Sequence, residues 1–407
     1  MNTLNNQSSK TKKILIFIAF AIVFAAPNYT QYQFSPLGPQ IIEQFALSSM
    51  QFNSIFTAPM LPAIFTSVIS GLLVDRYGYK PVIGASVILT FLGAWMRVFA
   101  NGYGMMYIAM VLVGFSAGFL SSNSSKILGQ LFGPEKVSVI MGLVLTVSTC
   151  GLVLSMSTTT KLGSMNTAFI VAGVVCTVAL ILWFVVMPGI KPGQDAQNPQ
   201  PIGEKAPSLS EAFLVVMKNR YVWLAGIAMF CVNGAMTGMG SMVPTALSNG
   251  RGISADAAGL VGAFLMVGNL LGSLFTPTIS LKTGKFRGVL MICGAVSVLG
   301  CCFAWRAPEG PLLYLAMVAT GYTFGSGMAQ LLAVAVRLPG VGPVYAGTAG
   351  GLIATLELLG GVVLPTYIAS GIAGTGNFSL YFIIIGLSSL LWILSVYLLP
   401  KELDTKG

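Results

Sequence analysis

One carboxylate sits in hydrocarbon-like surroundings with no charge near it in the sequence. Glu357, within Ala354-Thr355-Leu356-Glu357-Leu358-Leu359-Gly360-Gly361, lies about 12 residues into an apolar run of about 25. An ionisable group at such depth costs roughly 2.5 to 3.5 kcal/mol on insertion scales, which makes it a functional candidate by default. An acid there can carry a proton; the alternative is a neutral structural glutamate bonded to a neighbouring helix. Lys126, in Ser121-Ser122-Asn123-Ser124-Ser125-Lys126, is the second candidate. It either snorkels to headgroups, binds an anionic solute or pairs with an acid, and Asn123 beside it offers two amide donors. There is no histidine, which removes zinc motifs, histidine triads and histidine relays. The six cysteines all fall in apolar runs without C-x-x-C spacing, so they read as small fillers. No G-x-x-x-x-G-K-[ST] loop occurs, so ATP is not the direct energy source. Neither enzyme chemistry, a metal nor a cofactor is expected.

The elements that must position these groups can be read from composition. Of 407 residues 55% are hydrophobic and 8% charged, with mean hydropathy +0.84. A soluble domain carries about 25% charged residues, so most of this exterior must face lipid. Apolar runs long enough to cross a bilayer are predicted at 14 to 37, 51 to 74, 81 to 99, 104 to 130, 137 to 159 and 166 to 188. A second six lie at 221 to 245, 256 to 280, 288 to 306, 310 to 333, 345 to 370 and 378 to 399. The first, behind Lys10, Lys12 and Lys13, could pass for a secretory signal ending near Ala25-Ala26. It continues instead through Asn28, Gln31 and Gln33.

With the N-terminus inside, seventeen basic residues fall at or near the cytoplasmic side; only Arg97, Lys161, Arg251 and Arg306 fall outside. Both termini are therefore expected in the cytoplasm. The net charge of +10 is a topology signal, and no nucleic-acid partner is expected. The Pro-, Gly- and Gln-rich stretch from Gly189 to Pro207 reads as a linker. Ser208 with Glu211 is a capping-box pattern, predicting a short interfacial helix. The expected organisation is all-α: a bundle over 1–188, a cytoplasmic linker over 189–219 and a bundle over 220–407.

The halves echo each other at an offset of about 206 residues. Val113-Gly114-Phe115-Ser116-Ala117-Gly118 answers to Thr320-Gly321-Tyr322-Thr323-Phe324-Gly325, and Arg76-Tyr77-Gly78 to Lys282-Thr283-Gly284. Asn28 lies near the counterpart of Asn233. After the second run comes Gly71-Leu72-Leu73-Val74-Asp75-Arg76-Tyr77-Gly78-Tyr79-Lys80. Gly71 is expected to let two helices approach and Gly78 to permit a tight turn. Asp75 can accept from the positive end of a neighbouring helix, and Arg76 and Lys80 can meet carboxylates or lipid phosphates.

These features together resemble the major facilitator superfamily, whose motif G-x-x-x-D-R-x-G-x-K this loop matches with Tyr79 where a basic residue is common. The resemblance implies twelve helices in two bundles and a cytoplasmic latch at Asp75, Arg76 and Lys80, asymmetric because Leu281 replaces the acid in the second half. It also implies a central cavity lined by spans one, four, seven and ten. Asn28, Gln31, Gln33, Asn123, Lys126, Asn233, Thr237 and Gln330 then become solute-cavity candidates, interhelical hydrogen bonding being the alternative for each. Met110 stands where the family often has an arginine, and the span-five Gly-Pro antiporter motif is absent. Both omissions favour uptake over drug/proton antiport.

The function expected is secondary active transport of a small organic solute across the cytoplasmic membrane, by alternating access and coupled to protons. Glu357 would be the proton site, and Lys126 hints at an organic anion. The alternatives are an exporter of hydrophobic compounds and, from another class, a non-transporting sensor on the same fold. A sensor would be expected to carry a longer tail than Lys401 to Gly407. The partners expected are the solute, protons and the bilayer, and the protein is expected to be a monomer.

Overall fold

The computed structural model describes residues 2–133, 136–189 and 209–404. Of the linker stretch expected from Gly189 to Pro207, residues 190–207 lie outside them, as does the capping residue Ser208. Among the described residues all regular structure is helical. Eleven helices are long and apolar enough to cross a membrane. The twelfth span is present but broken: α3 (Ser49–Thr57) and α4 (Met60–Tyr77) share the second apolar run, parted at Ala58-Pro59. The first run also stops early. Helix α1 (Asn2–Tyr32) ends before Gln33, because Pro36 supplies no N–H and disfavours helical conformation at Ser35. A short α2 (Gly38–Gln44) comes next.

The remaining helices keep close to the predicted runs: α5 (Tyr79–Met96), α6 (Tyr103–Phe132), α7 (Val137–Thr158), α8 (Met165–Val186), α9 (Leu209–Lys218), α10 (Arg220–Arg251), α11 (Ala255–Thr283), α12 (Phe286–Phe303), α13 (Pro311–Ala333), α14 (Gly342–Val362), α15 (Ser370–Ala373) and α16 (Phe378–Tyr397). A π-helical stretch at Val363–Ala369 joins α14 to α15. Several starts carry the expected caps: side chains of Ser164, Asn219, Ser254 and Asn377 accept first-turn N–H groups of α8, α10, α11 and α16. Outward-facing Val185 and Leu281, each 77% exposed, suit hydrocarbon and not water.

Two compact units emerge: Met1–Phe34 with Ala58–Gln200, and Ser35–Thr57 with Pro201–Gly407. Each repeats the same neighbours. In the first, α1 packs on α7, α4 on α6 and α5 on α8; in the second, α10 packs on α14, α11 on α13 and α12 on α16. The glycine echo explains one of these pairings. In the first unit a Cβ on Gly114 would fall 2.0 Å from the Pro59 carbonyl oxygen, and one on Gly118 2.7 Å from Ala63 Cα. In the second, Gly321 and Gly325 meet the carbonyls of Leu265 and Asn269, while Gly268 and Gly272 meet those of Val318 and Tyr322. Small residues four apart on both helices let the backbones touch. Gly71 does not share this role: an added Cβ there meets nothing within 4 Å. The close approach expected at Gly71 is made by Gly114 and Gly118, where α6 meets the start of α4.

The core of the first unit gathers Phe20, Ile83, Val113, Leu120, Cys176 and Trp183. The Trp183 indole donates to the Lys80 carbonyl (3.0 Å), tying α8 to the start of α5.

Candidate functional site: gate and polar path

The motif turn is built as its residue types require. Gly78 has φ +83° and its N–H bonds the Val74 carbonyl at 2.9 Å, ending α4 and starting α5 within one residue. Its echo Gly284 has φ +66° after α11. Arg76 is exposed, with its guanidinium 5.3 Å above the Tyr77 ring, and Lys80 is half-buried. Asp75 occupies the last turn of α4; its side chain is outside the described ones. In the second unit, where Leu281 replaces the acid, Asp404 takes over the helix-start role. It accepts from the Arg287 N–H at 2.7 Å in the first turn of α12 and pairs with the Arg287 side chain at 3.2 Å, as a carboxylate at a helix N-terminus should.

An apolar cavity of about 530 Å³ lies in the first unit beside this turn, lined by Leu73, Tyr77, Pro81, Val82, Phe115 and Phe119 among others. Asp75 lies in the last turn of α4, at the end of a span and so about 15 Å or more from where its middle would lie. Asp75→Asn is therefore expected to lower transport several-fold through the conformational equilibrium, leaving intrinsic solute affinity near the parent's. Full transport by a normally inserted Asp75→Asn protein would remove the gating role.

The polar candidates of the first unit are largely engaged with neighbouring helices. Asn28 donates to Ser148 Oγ on α7 (2.9 Å). Buried Asn123 donates to Ser70 Oγ on α4 (3.2 Å) and to the Phe119 carbonyl (2.9 Å). Gln33 donates to the Ala168 carbonyl (2.9 Å) and accepts from Arg97 Nη2 (3.1 Å). Gln31 is buried, and Lys126 stands exposed on α6.

In the second unit Asn233 on α10 donates to the main-chain carbonyl of Glu357 on α14 at 2.8 Å. This repeats the α1–α7 bond of Asn28. The Glu357 side chain is half-buried, with no hydrogen bond or ion pair to its carboxylate among the described residues. The buried groups without a hydrogen-bond partner include the Thr237 hydroxyl and Gln330 Nε2, while Gln330 Oε1 accepts from Ser280 Oγ at 2.5 Å. Such unspent buried polar groups call for an explanation.

Two groups escaped the sequence reading. Asn269, midway along α11, offers its amide, among the described residues, to the thioethers of Met236 (3.4 Å) and Met328 (3.9 Å). Arg97, counted above as an outside charge, is 1% exposed. Its signal was faint: three more residues, Arg97–Phe99, continue the span as a 3₁₀ turn.

Repeated helix pairs, glycine crossings and mid-span polar groups make an internally repeated bundle of helices of membrane-spanning length. Residues 14–365 match the Major Facilitator Superfamily, and the chain belongs to that family. The hexuronate transporter of Bacillus subtilis (strain 168) is 22% identical over 398 residues, covering 92% of each chain. The probable nitrate/nitrite antiporter NarK1 of Thermus thermophilus is 24% identical over 436 residues, covering 95% of this chain and 91% of that one. The crystal structure of nucleoside transporter NupG superposes with TM-score 0.78 at 13% identity, covering 95% of this chain and 99% of that one; at that identity the likeness is one of fold. Twelve spans in two six-helix bundles and secondary transport by alternating access follow from family and fold.

Proposed function

We propose that this transporter takes up a small organic anion together with protons. The observation that carries the reading is Glu357: a carboxylate near the middle of the span Tyr345–Ala373, without a partner among the described residues, costs energy that a proton-carrying role accounts for. Unmet groups at Thr237 and Gln330 and the sulfur-bound amide of Asn269 leave donors in the same unit for a solute. The anion assignment draws on Lys126 and on the names of the relatives, a hexuronate and a nitrate/nitrite carrier. Arg76, Lys80 and Asp75 serve as the cytoplasmic gate in this reading, and the site is the cytoplasmic membrane with both termini inside.

Purified protein in proteoliposomes, offered a panel of labelled small organic acids with and without an inward proton gradient, tests it. Gradient-dependent accumulation of an acid supports the reading, and accumulation only of neutral or cationic solutes overturns the anion class. A second reading, export of hydrophobic compounds, is favoured by the apolar 530 Å³ cavity. Orientation has its own check: cysteines placed within 191–205 are expected to label from the same side as residue 10, and residue 161 from the other. Labelling of the linker and the N-terminus from opposite sides would end the two-bundle topology.

A further inference from the structure

We propose that α9 lies in the headgroup layer of the bilayer, with Phe213, Leu214 and Met217 set into the lipid, and so fastens the chain ahead of α10 to the membrane surface. These three side chains are 54%, 56% and 37% exposed. At 3.6 residues per turn Met217 falls between the other two, and together they occupy about 100° of the helix circumference. Beside them Val216 is buried and takes the contact with the rest of the unit, where α9 packs on α10 and α14. The helix cannot roll this face inward. The Trp223 indole donates to the Met217 carbonyl at 2.9 Å, and the Asn219 amide donates to the Pro339 carbonyl at 2.8 Å, so its end is tied down on two sides.

An exposed cluster of large apolar side chains marks either a protein partner or a membrane. Continuity with a span selects the membrane. Helix α10 is of membrane-crossing length and composition from Arg220 to Arg251, and only Asn219 separates it from α9. Asn219 is extended, with φ −84° and ψ 109°, and its side chain accepts the Tyr221 N–H, so α9 does not continue the axis of α10. It branches off where the span meets the surface. The residues at that junction are those of a membrane boundary: the Arg220 guanidinium lies 4.7 Å from the Tyr221 ring centroid, and Trp223 follows within the first turn. Lys218 is exposed at the same end, on a stem long enough to reach a lipid phosphate while its methylenes stay in apolar surroundings. A short helix with one apolar face and a basic end is the form that lies along a bilayer surface without crossing it.

The test needs neither a solute nor transport. Cysteine replaces Phe213, Leu214, Met217 or, as the water-side control, Glu211, one at a time in a Cys150→Ser protein, whose other five native cysteines are buried. Each variant carries a nitroxide label and is placed in vesicles of phosphatidylcholine and phosphatidylglycerol. Labels at 213, 214 and 217 should collide readily with oxygen, which concentrates in lipid, and about fivefold or more less often than the label at 211 with a water-soluble nickel chelate, because the chelate is excluded from the apolar boundary. Nickel collision at 213, 214 and 217 equal to that at 211 puts the face in water and overturns the proposal. Low collision with both reagents means that the face is covered by protein, and overturns it equally. If the labelled variants do not fold, Met217→Trp takes their place. Its added emission should be quenched in vesicles of dibrominated phosphatidylcholine and spared by aqueous iodide; quenching by iodide alone, or by neither, overturns the proposal.

Discussion

Glu357→Gln is expected to abolish proton-driven accumulation of solute while exchange of labelled for unlabelled solute continues. The amide copies the protonated acid in shape and neutrality but releases no proton, so it should disable the coupled return and spare solute exchange. Direct binding of a cationic solute by Glu357 predicts another pattern: both activities fail, because the buried cation loses its counter-charge at a cost of several kcal/mol. A structural role predicts a third, in which glutamine preserves both and only bulky or apolar replacements lower folded yield. Accumulation and exchange measured in the same Glu357→Gln vesicles separate the three. Retained proton-driven accumulation would sink the coupling role.

Gly325→Val should cost most of the folded protein. Even a bare Cβ at Gly325 would fall 1.8 Å from the Asn269 carbonyl oxygen and 2.9 Å from the Ser273 nitrogen, and one at Gly321 1.9 Å from the Leu265 carbonyl oxygen. These neighbours are main chain, so relief requires moving α11 as a body. Overpacking of this kind costs about 1–3 kcal/mol, occasionally more. The matched control is Gly350→Ala on α14, where nothing lies within 4 Å; alanine there is expected to be neutral or stabilising, by up to about 1 kcal/mol. Monodisperse yield and thermal midpoint of the two variants in detergent decide the matter. Equal behaviour would show that α11 and α13 do not cross backbone to backbone.

The spans were readable because hydrocarbon demands long apolar runs and tolerates little else. The glycine echo was readable because small residues four apart say that something must come close, though not what. Gly71 shows the limit: the residue type was right for a close contact, but the contact is made by Gly114 and Gly118. The break in the second span was hidden because an apolar window does not register two residues where the helix stops. Pro59 and Pro62 were the available signs. The burial of Arg97 was hidden for a related reason, since hydropathy cannot distinguish a cation in water from one bonded to the end of a helix. Asn123 and Gln33 read as cavity candidates by type, while their hydrogen bonds depend on which helix lies alongside, and that is set by the fold.

The crossing of α11 with α13 also fixes an order of events during synthesis. Thr276 and Ser280 find Ser326 and Gln330 on α13, each fifty residues later in the chain. At about 5–20 residues per second the eighth span waits about 3 to 10 seconds for these partners. In that interval the helix lacks the native partners of its hydroxyls and of the groove at Gly268 and Gly272. The ninth span emerges in between and must be in place without filling that groove. Until α13 is made, this glycine-notched, hydroxyl-bearing helix is without the partner that its native bonds require.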